Sequence, residues 1–404
     1  MRPRPDLVTK RGIHMRKVLL LAVGMFALGF DAYVVAGLLP DIEATFKITP
    51  SQSGQAVSVF TLCYALAAPV FATGLAGKPM RRILILALAF FSIGNGMSAL
   101  APSFSSFLIA RAIAGIGAGL YSPLAAAAAA SLVSEKKRGR ALGMTLGGMS
   151  TGTVTGVPIG LTVAKFLGWQ GTLWLITSLG LISILGVMIR FPNFPASPPP
   201  SLRQRVSMLT NGRVSATVAI TLMTSVASLG LYTYIASVLH HLADMNNLTP
   251  YLWAWGIGGV IGSFSIGSLI DRTRRPGLLM AFILAIMALS MFSLPSGLKY
   301  PVFAFLPLVL WGAAGWASQA PQQHVLLHLH PDHSAATVAL NSSANYFGSA
   351  IGSALGGMAM TAGLTPSQLP FAAGCLTLAA LLGQLWIILR MRKEAQKVKK
   401  GQTM

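Results

Sequence analysis

The chain has 404 residues, 54% of them hydrophobic and only 10% charged, and a formal net charge of +21. A water-soluble surface needs about 25% charged residues, so a soluble fold is excluded, and apolar runs of about 20 residues, the length that crosses a bilayer, recur from residue 18 to residue 389. The 30 Lys and Arg lie between these runs instead of forming one patch, so the positive balance does not mark a nucleic-acid partner.

Residues 1–15 form a basic tail. The run that follows, 16–39, is longer than the apolar region of a secretory signal and contains Asp31, so it reads as a retained first span. Breaks at charges, Pro and Gly then predict spans at 52–75, 81–101, 104–130, 139–164, 168–191, 213–241, 249–270, 276–295, 300–325, 335–362 and 367–390. All are predicted helical, because transmembrane strands alternate in segments of about ten residues and these runs are continuous. Twelve spans place both termini on one side. Of the 30 Lys and Arg, 26 fall on that side, only Lys47, Lys165 and Lys299 fall opposite, and Arg111 lies inside the fourth span. This bias over short loops predicts cytoplasmic termini. The basic tail 391–404, with Arg392 to Lys400, reads first as a further mark of the cytoplasmic side, with binding to anionic membrane lipid as the alternative.

Residues 192–212, with Pro192, Pro195 and Pro198 to Pro200, make the longest cytoplasmic break and divide the spans into halves at 16–191 and 213–390. The halves echo each other: GLAGKPMRR at Gly74–Arg82 and GSLIDRTRR at Gly267–Arg275 both connect the second and third span of their half. Spans 3, 6, 9 and 12 are nearly all aliphatic, whereas spans 4, 5, 7, 10 and 11 carry Ser, Thr, Gln, Asn and Tyr. Every third span is therefore expected to face lipid and the others to line a central cavity. Two six-helix halves built from three-helix repeats are a transporter architecture.

Asp31 and Arg111 are the charged residues well inside the spans, where a charge costs several kcal/mol and normally faces a partner or a cavity. At 1.5 Å per residue, Asp31 lies about 12 Å and Arg111 about 10 Å from the outer ends of their spans. Matching depth and opposite sign make them candidate partners, either as a fixed ion pair or as an Asp whose protonation and Arg contact change during a cycle. Glycines recur at a spacing of four in Gly115 and Gly119, in Gly152, Gly156 and Gly160, in Gly258 and Gly262, and in Gly348, Gly352 and Gly356. That spacing lets helix backbones approach closely, and Gly156 with Pro158 adds a hinge reading. No strand precedes these glycines and no phosphate-loop lysine follows them, so a nucleotide loop is excluded.

His324, His328, His330 and His333 gather at the cytoplasmic end of the tenth span, and the first two share a helix face. With Asp332 as the one further ligand type at such spacing, an interfacial cluster is favoured over a metal site, with mild pH sensitivity as a third reading. Cys63 and Cys375 lie in separate apolar runs and predict neither a disulfide nor a zinc site. Tyr33, Tyr64, Tyr232, Trp316, Gln319, Asn341 and Asn345 suit a cavity for an uncharged or amphipathic small molecule.

Several stretches carry a family pattern: GFDAYVVAGLLPDI at Gly29–Ile42, RAIAGIGAG at Arg111–Gly119, GTVTGVPIG at Gly152–Gly160, together with Gly168–Trp174 and Asn341–Gly357. They resemble the major facilitator superfamily, and within it the drug and proton antiporters that include bacterial sugar and nucleoside exporters. There are departures. Gly77 stands where the family places an Asp, although the second-half loop keeps Asp271, Arg272, Arg274 and Arg275. Val157 separates Gly156 from Pro158, a variant similar to that of sugar and nucleoside exporters. The resemblance implies an all-α membrane fold of twelve transmembrane helices in two six-helix halves with pseudo-twofold symmetry. It also implies a monomeric secondary transporter of the bacterial inner membrane, not an enzyme and without a cofactor, that exports a small organic solute or drug in exchange for protons by alternating access. Asp31 and Arg111 would then couple the proton, and the glycine motifs and the Asp271 loop would serve packing and gating. A dedicated sugar or nucleoside exporter is the alternative, and a non-transporting sensor a remote one.

Overall fold

The computed structural model describes residues 11–75, 77–134, 137–195, 200–243, 248–298, 300–329 and 334–402. The basic tail residues 1–10, Lys136, Pro198, Pro199, Lys299, His330, Asp332 and His333 lie outside the described residues. Every regular element among those described is helical. This follows from the solvent: in hydrocarbon each backbone N–H and C=O must bond within its own segment, which a helix achieves. The chain divides into two compact units, Met1–Leu202 and Arg203–Met404.

The first unit holds α1 (Arg11–Phe46), α2 (Pro50–Ser53), α3 (Gln55–Leu75), α4 (Met80–Ala99), α5 (Phe104–Ser131), α6 (Arg138–Thr151), a π-helical segment (Gly152–Gly156) and α7 (Val157–Arg190). α1 runs through Pro40 and continues beyond the span end expected near Leu39. Its C-terminal end is anchored by the Trp169 indole, which donates to Thr45 Oγ1 at 2.9 Å, and by Phe46 packing against Phe104, Phe107 and Trp169. Trp169 reaches this position because Gly168 leaves the helical region at φ 68°, interrupting α7. At the opposite end, Arg81 donates to the Met188 carbonyl and the Met80 N–H to Phe194 O at 2.8 Å. A cation at the last carbonyls of α7 also complements that helix's negative end.

The second unit holds α9 (Gly212–Thr233), α10 (Ile235–Ala243), α11 (Thr249–Thr273), α12 (Pro276–Gly297), α13 (Pro301–Ala317), α14 (Gln319–Leu329), α15 (Ser334–Thr361) and α16 (Leu369–Gln402), preceded by the short α8 (Leu202–Ser207). The predicted spans 213–241 and 300–325 are each broken in two, at Tyr234 and at Ser318. The second break has a covalent cause, since Pro321 has no N–H to offer the Ala317 carbonyl. α9, α14 and α15 meet at Val214, Val218, Leu326, Leu340 and Ala344. Arg205 on α8 is buried against α15, donating to Ala339 O at 3.0 Å and Ser343 Oγ at 2.6 Å. Burial pulls its guanidinium down to about 10.

Nine stretches among the described residues are long and apolar enough to cross a membrane, one of them the 53-residue Arg138–Arg190. This is a multi-pass membrane protein. The aliphatic third span is less one-sided than its composition implies. α4 exposes Leu86, Phe90, Ile93 and Met97, but its other face buries Ser92, Asn95 and Ser98.

Candidate functional site

Within the first unit, α1 and α5 bring the two intramembrane charges together. Arg111 Nη1 donates to Asp31 Oδ1 at 2.7 Å, with the two side chains 1% and 0% exposed. Asn95 of α4 closes a ring with them. Its Nδ2 donates to Asp31 Oδ2 at 3.2 Å and to Phe91 O at 3.1 Å, and its Oδ1 accepts from Arg111 Nη1 at 3.1 Å. The amide orientation is set by chemistry, since only an NH2 can face a carboxylate and only an oxygen can face a guanidinium. The Arg111 Cζ also lies 4.3 Å from the centre of the Phe60 ring, a cation–π arrangement worth about 2 kcal/mol when water is excluded. Arg111 Nε has no hydrogen-bond partner among the described residues.

Backbone contacts hold these helices in register. Arg111, Gly115 and Gly119 follow at intervals of four and share one face of α5. A Cβ at Gly115 would lie 3.1 Å from both Cys63 Cβ and the Phe60 carbonyl carbon, and one at Gly119 would lie 2.8 Å from Tyr64 Cα. α5 is thus pressed against α3, and the same face presents Arg111 to Phe60. α1 is held in the same way: Gly152 faces the Phe26 backbone, Gly156 the Phe30 ring, and Gly160 the side chains of Val34 and Phe30. The π-helical turn at Gly152–Gly156 inserts one extra residue just before Pro158, and there Thr153 Oγ1 donates to Gly29 O at 3.3 Å and Met149 O at 3.1 Å. π-bulges of this kind concentrate at functional sites.

The predicted cavity residues separate by unit. Tyr64 is buried, and its ring centre lies 6.2 Å from that of Phe60, one ring removed from Arg111. Tyr33 is half-buried, two residues beyond Asp31. In the second unit, Asn345 Oδ1 accepts from Gln319 Nε2 at 2.8 Å and from Ser225 Oγ at 2.6 Å. This orients the Asn345 NH2 away from that pair. One turn earlier, the buried Asn341 amide has neither its nitrogen nor its oxygen bonded among the described residues. Tyr232 and Trp316 join through Trp255, at centroid distances of 4.3 and 6.2 Å. Trp311 packs on the same ring and donates to Ser228 Oγ at 2.8 Å. Between Val214 and Leu389 the described helices of this unit carry Asp, Lys or Arg only at the α11–α12 junction, and His only at the end of α10 and at His324 and His328 of α14. Its interior is therefore neutral, in contrast to the first unit.

Asp271, Arg272, Arg274 and Arg275 are exposed at the end of α11, and Arg274 adopts a left-handed cap at φ 50°. His324 and His328 stack at 4.4 Å, with His328 Nδ1 2.7 Å from His324 O; His330 and His333 lie outside the described residues. Sequence reasoning missed Asn95, Phe60, Trp255 and Trp311. For Asn95 a signal was available, because Ser92, Asn95 and Ser98 recur every three residues and so share a helix face.

The model of the Major Facilitator Superfamily matches residues 21–353. A Bacillus subtilis protein described as the uncharacterized MFS-type transporter YbcL is 30% identical over 345 residues, covering 85% of this chain and 88% of the relative. The Escherichia coli inner membrane transport protein YdhP is 27% identical, covering 94% and 97%. A chloramphenicol resistance protein of Streptomyces lividans is 29% identical, covering 65% and 68%. Among solved structures, a mutant form of the nucleoside transporter NupG superposes with a TM-score of 0.75 at 13% identity, covering 92% of this chain and 99% of the other. The E. coli xylose transporter XylE, in a partially occluded inward-open conformation, gives 0.71 at 18% identity, covering 92% and 97%. The chain belongs to the major facilitator superfamily, a family of transporters.

Proposed function

We propose that the chain is a secondary active transporter that exports a small organic solute across the bacterial inner membrane in exchange for protons, by alternating access. The observation that carries this reading is the buried ion pair of Asp31 and Arg111. A buried pair is often no more stabilising than well-packed apolar side chains of similar volume, so its presence inside a span argues for use over mere adhesion. A carboxylate in a water-poor interior takes up a proton when its cation partner withdraws and releases it when the partner returns. The same group then carries one proton per cycle.

The architecture we propose has twelve crossings in two six-helix halves, 16–191 and 213–390, related by pseudo-twofold symmetry, with both termini cytoplasmic and the chain monomeric. Arg138–Arg190 supports this count, since 53 residues are long enough for two crossings and Gly168 interrupts them. Dividing that stretch, and adding α13 with α14, and α15, to the apolar stretches already described, makes twelve.

The neutral interior of the second unit supports an uncharged solute, recognised by the amides of Gln319, Asn341 and Asn345 and the indole of Trp316, with Tyr232 as further lining. The same amide and hydroxyl chemistry favours a second reading, a dedicated sugar or nucleoside exporter. Liposomes with an acidic lumen, containing the purified protein, test both readings with labelled chloramphenicol, xylose and uridine as probes. Accumulation of one probe, collapsed by a protonophore, is expected. Asp31→Asn is expected to abolish that accumulation while leaving exchange at equal pH. Full accumulation by a folded Asp31→Asn protein would return Asp31 to a structural role.

A further inference from the structure

We infer that Asn95 is a positioning residue of the coupling site, which holds Arg111 within the membrane interior when it withdraws from the protonated Asp31; the inference rests on the proton-coupling reading above. Arg111 has two sets of partners. The first is the Asp31 carboxylate, whose attraction depends on its charge. The second is the Asn95 carbonyl oxygen at 3.1 Å and the Phe60 ring at 4.3 Å, and neither of these titrates. When Asp31 takes a proton its negative charge disappears, and a guanidinium in a membrane interior is costly without a compensating group. Asn95 and Phe60 supply that compensation from helices α4 and α3, so the cation has somewhere to remain.

Asn95 is suited to this because it is itself immobilised. Its second N–H is held by Phe91 O at 3.1 Å, one turn back on its own helix. Its oxygen therefore stays aimed at Arg111 whether or not its other N–H finds a carboxylate. The titratable or charged groups facing this ring are Asp31 from α1 and Arg111 from α5, and α4 contributes the neutral Asn95. The arrangement also predicts that the carboxylate and the amide are exchangeable in kind. With the carboxylate moved to α4 and the amide to α1, Arg111 still meets one carboxylate and one carbonyl oxygen.

The test compares Asp31→Asn, Asn95→Leu and the exchanged double variant Asp31→Asn/Asn95→Asp in liposomes with an acidic lumen, using whichever of the three probes the wild type accumulates. The exchanged variant is expected to regain at least fivefold more pH-driven accumulation than Asp31→Asn alone, with an altered pH profile because its carboxylate, now on α4, faces Phe91 O. Asn95→Leu is expected to lose about tenfold in pH-driven accumulation while exchange at equal pH stays within twofold. Should the exchanged variant fail to fold, as judged by size-exclusion and melting, this split in Asn95→Leu decides. If Asp31→Asn loses coupling but the folded exchange variant regains none, or if Asn95→Leu loses both activities in parallel, the positioning role is overturned. If Asp31→Asn retains full coupling, or the wild type accumulates no probe, the coupling reading fails first and the inference with it.

Discussion

Replacing Gly152 by Ala tests whether backbone contact between α1 and the π-helical segment holds the first unit together. A Cβ at Gly152 would lie 2.8 Å from the carbonyl carbon of Phe26, whereas carbon atoms pack at about 3.5–4.0 Å. The two segments must therefore separate by roughly 1 Å, and because the obstructing atoms are backbone, no rotamer change relieves the clash. Overpacking of this kind costs about 1–3 kcal/mol. Gly147 provides the control, since a Cβ there meets nothing within 4 Å. Gly→Ala brings a helix-propensity gain of up to about 1 kcal/mol, shared by both variants, so the difference between them isolates the contact. At roughly 2–4 °C per kcal/mol for a unit of this size, Gly152→Ala should melt about 2–12 °C below Gly147→Ala in detergent. Equal melting temperatures would refute the proposed close contact.

Asn341→Leu should raise the melting temperature, because it removes a buried amide without partners at a saving of about 1–3 kcal/mol, and should lower transport; a drop in stability with transport intact would mean that the amide only packs. Arg205→Ala should destabilise the second unit by about 1.5–3 kcal/mol, as it deletes charge-assisted hydrogen bonds to Ala339 O and Ser343 Oγ, whereas an unchanged melting temperature would show that α8 is not anchored there. Tags at Met1 and Met404 should resist protease in intact cells and one near Asn246 should be cut, so cleavage at either terminus of sealed cells would reverse the topology.

The parts of this protein that can be read from its sequence are those where the membrane makes an error expensive. Asp31 and Arg111 stand out because a charge among apolar residues is costly enough to demand a reason, and equal depth then pairs them. The glycine intervals are legible for a similar cause, as a four-residue spacing has few uses on a membrane helix other than close approach. Asn95 is neutral and lies in the aliphatic third span, so composition hides it, although its three-residue interval from Ser92 and Ser98 reveals the buried face. Trp255 and Trp311 are harder still, since a tryptophan in a membrane span suits lipid, packing or a cavity equally. The break at Tyr234 has neither Gly nor Pro to announce it, and the positive φ of Gly168 is a property of the backbone that no residue count contains.

Glycine seams and buried charge are linked through distance. The Asp31 to Arg111 hydrogen bond is 2.7 Å long, and a side-chain contact beyond about 3.5 Å no longer counts as one, so the tolerance is below about 1 Å. α1 owes its position to contacts at Gly152, Gly156 and Gly160, and α5 to Gly115 and Gly119 against α3. The separation forced by a single added methyl at either seam is as large as that tolerance. A seam variant that still folds should therefore lose coupling before it loses its helices, and Asn95, reaching the pair from the third helix, α4, is the group placed to limit that loss.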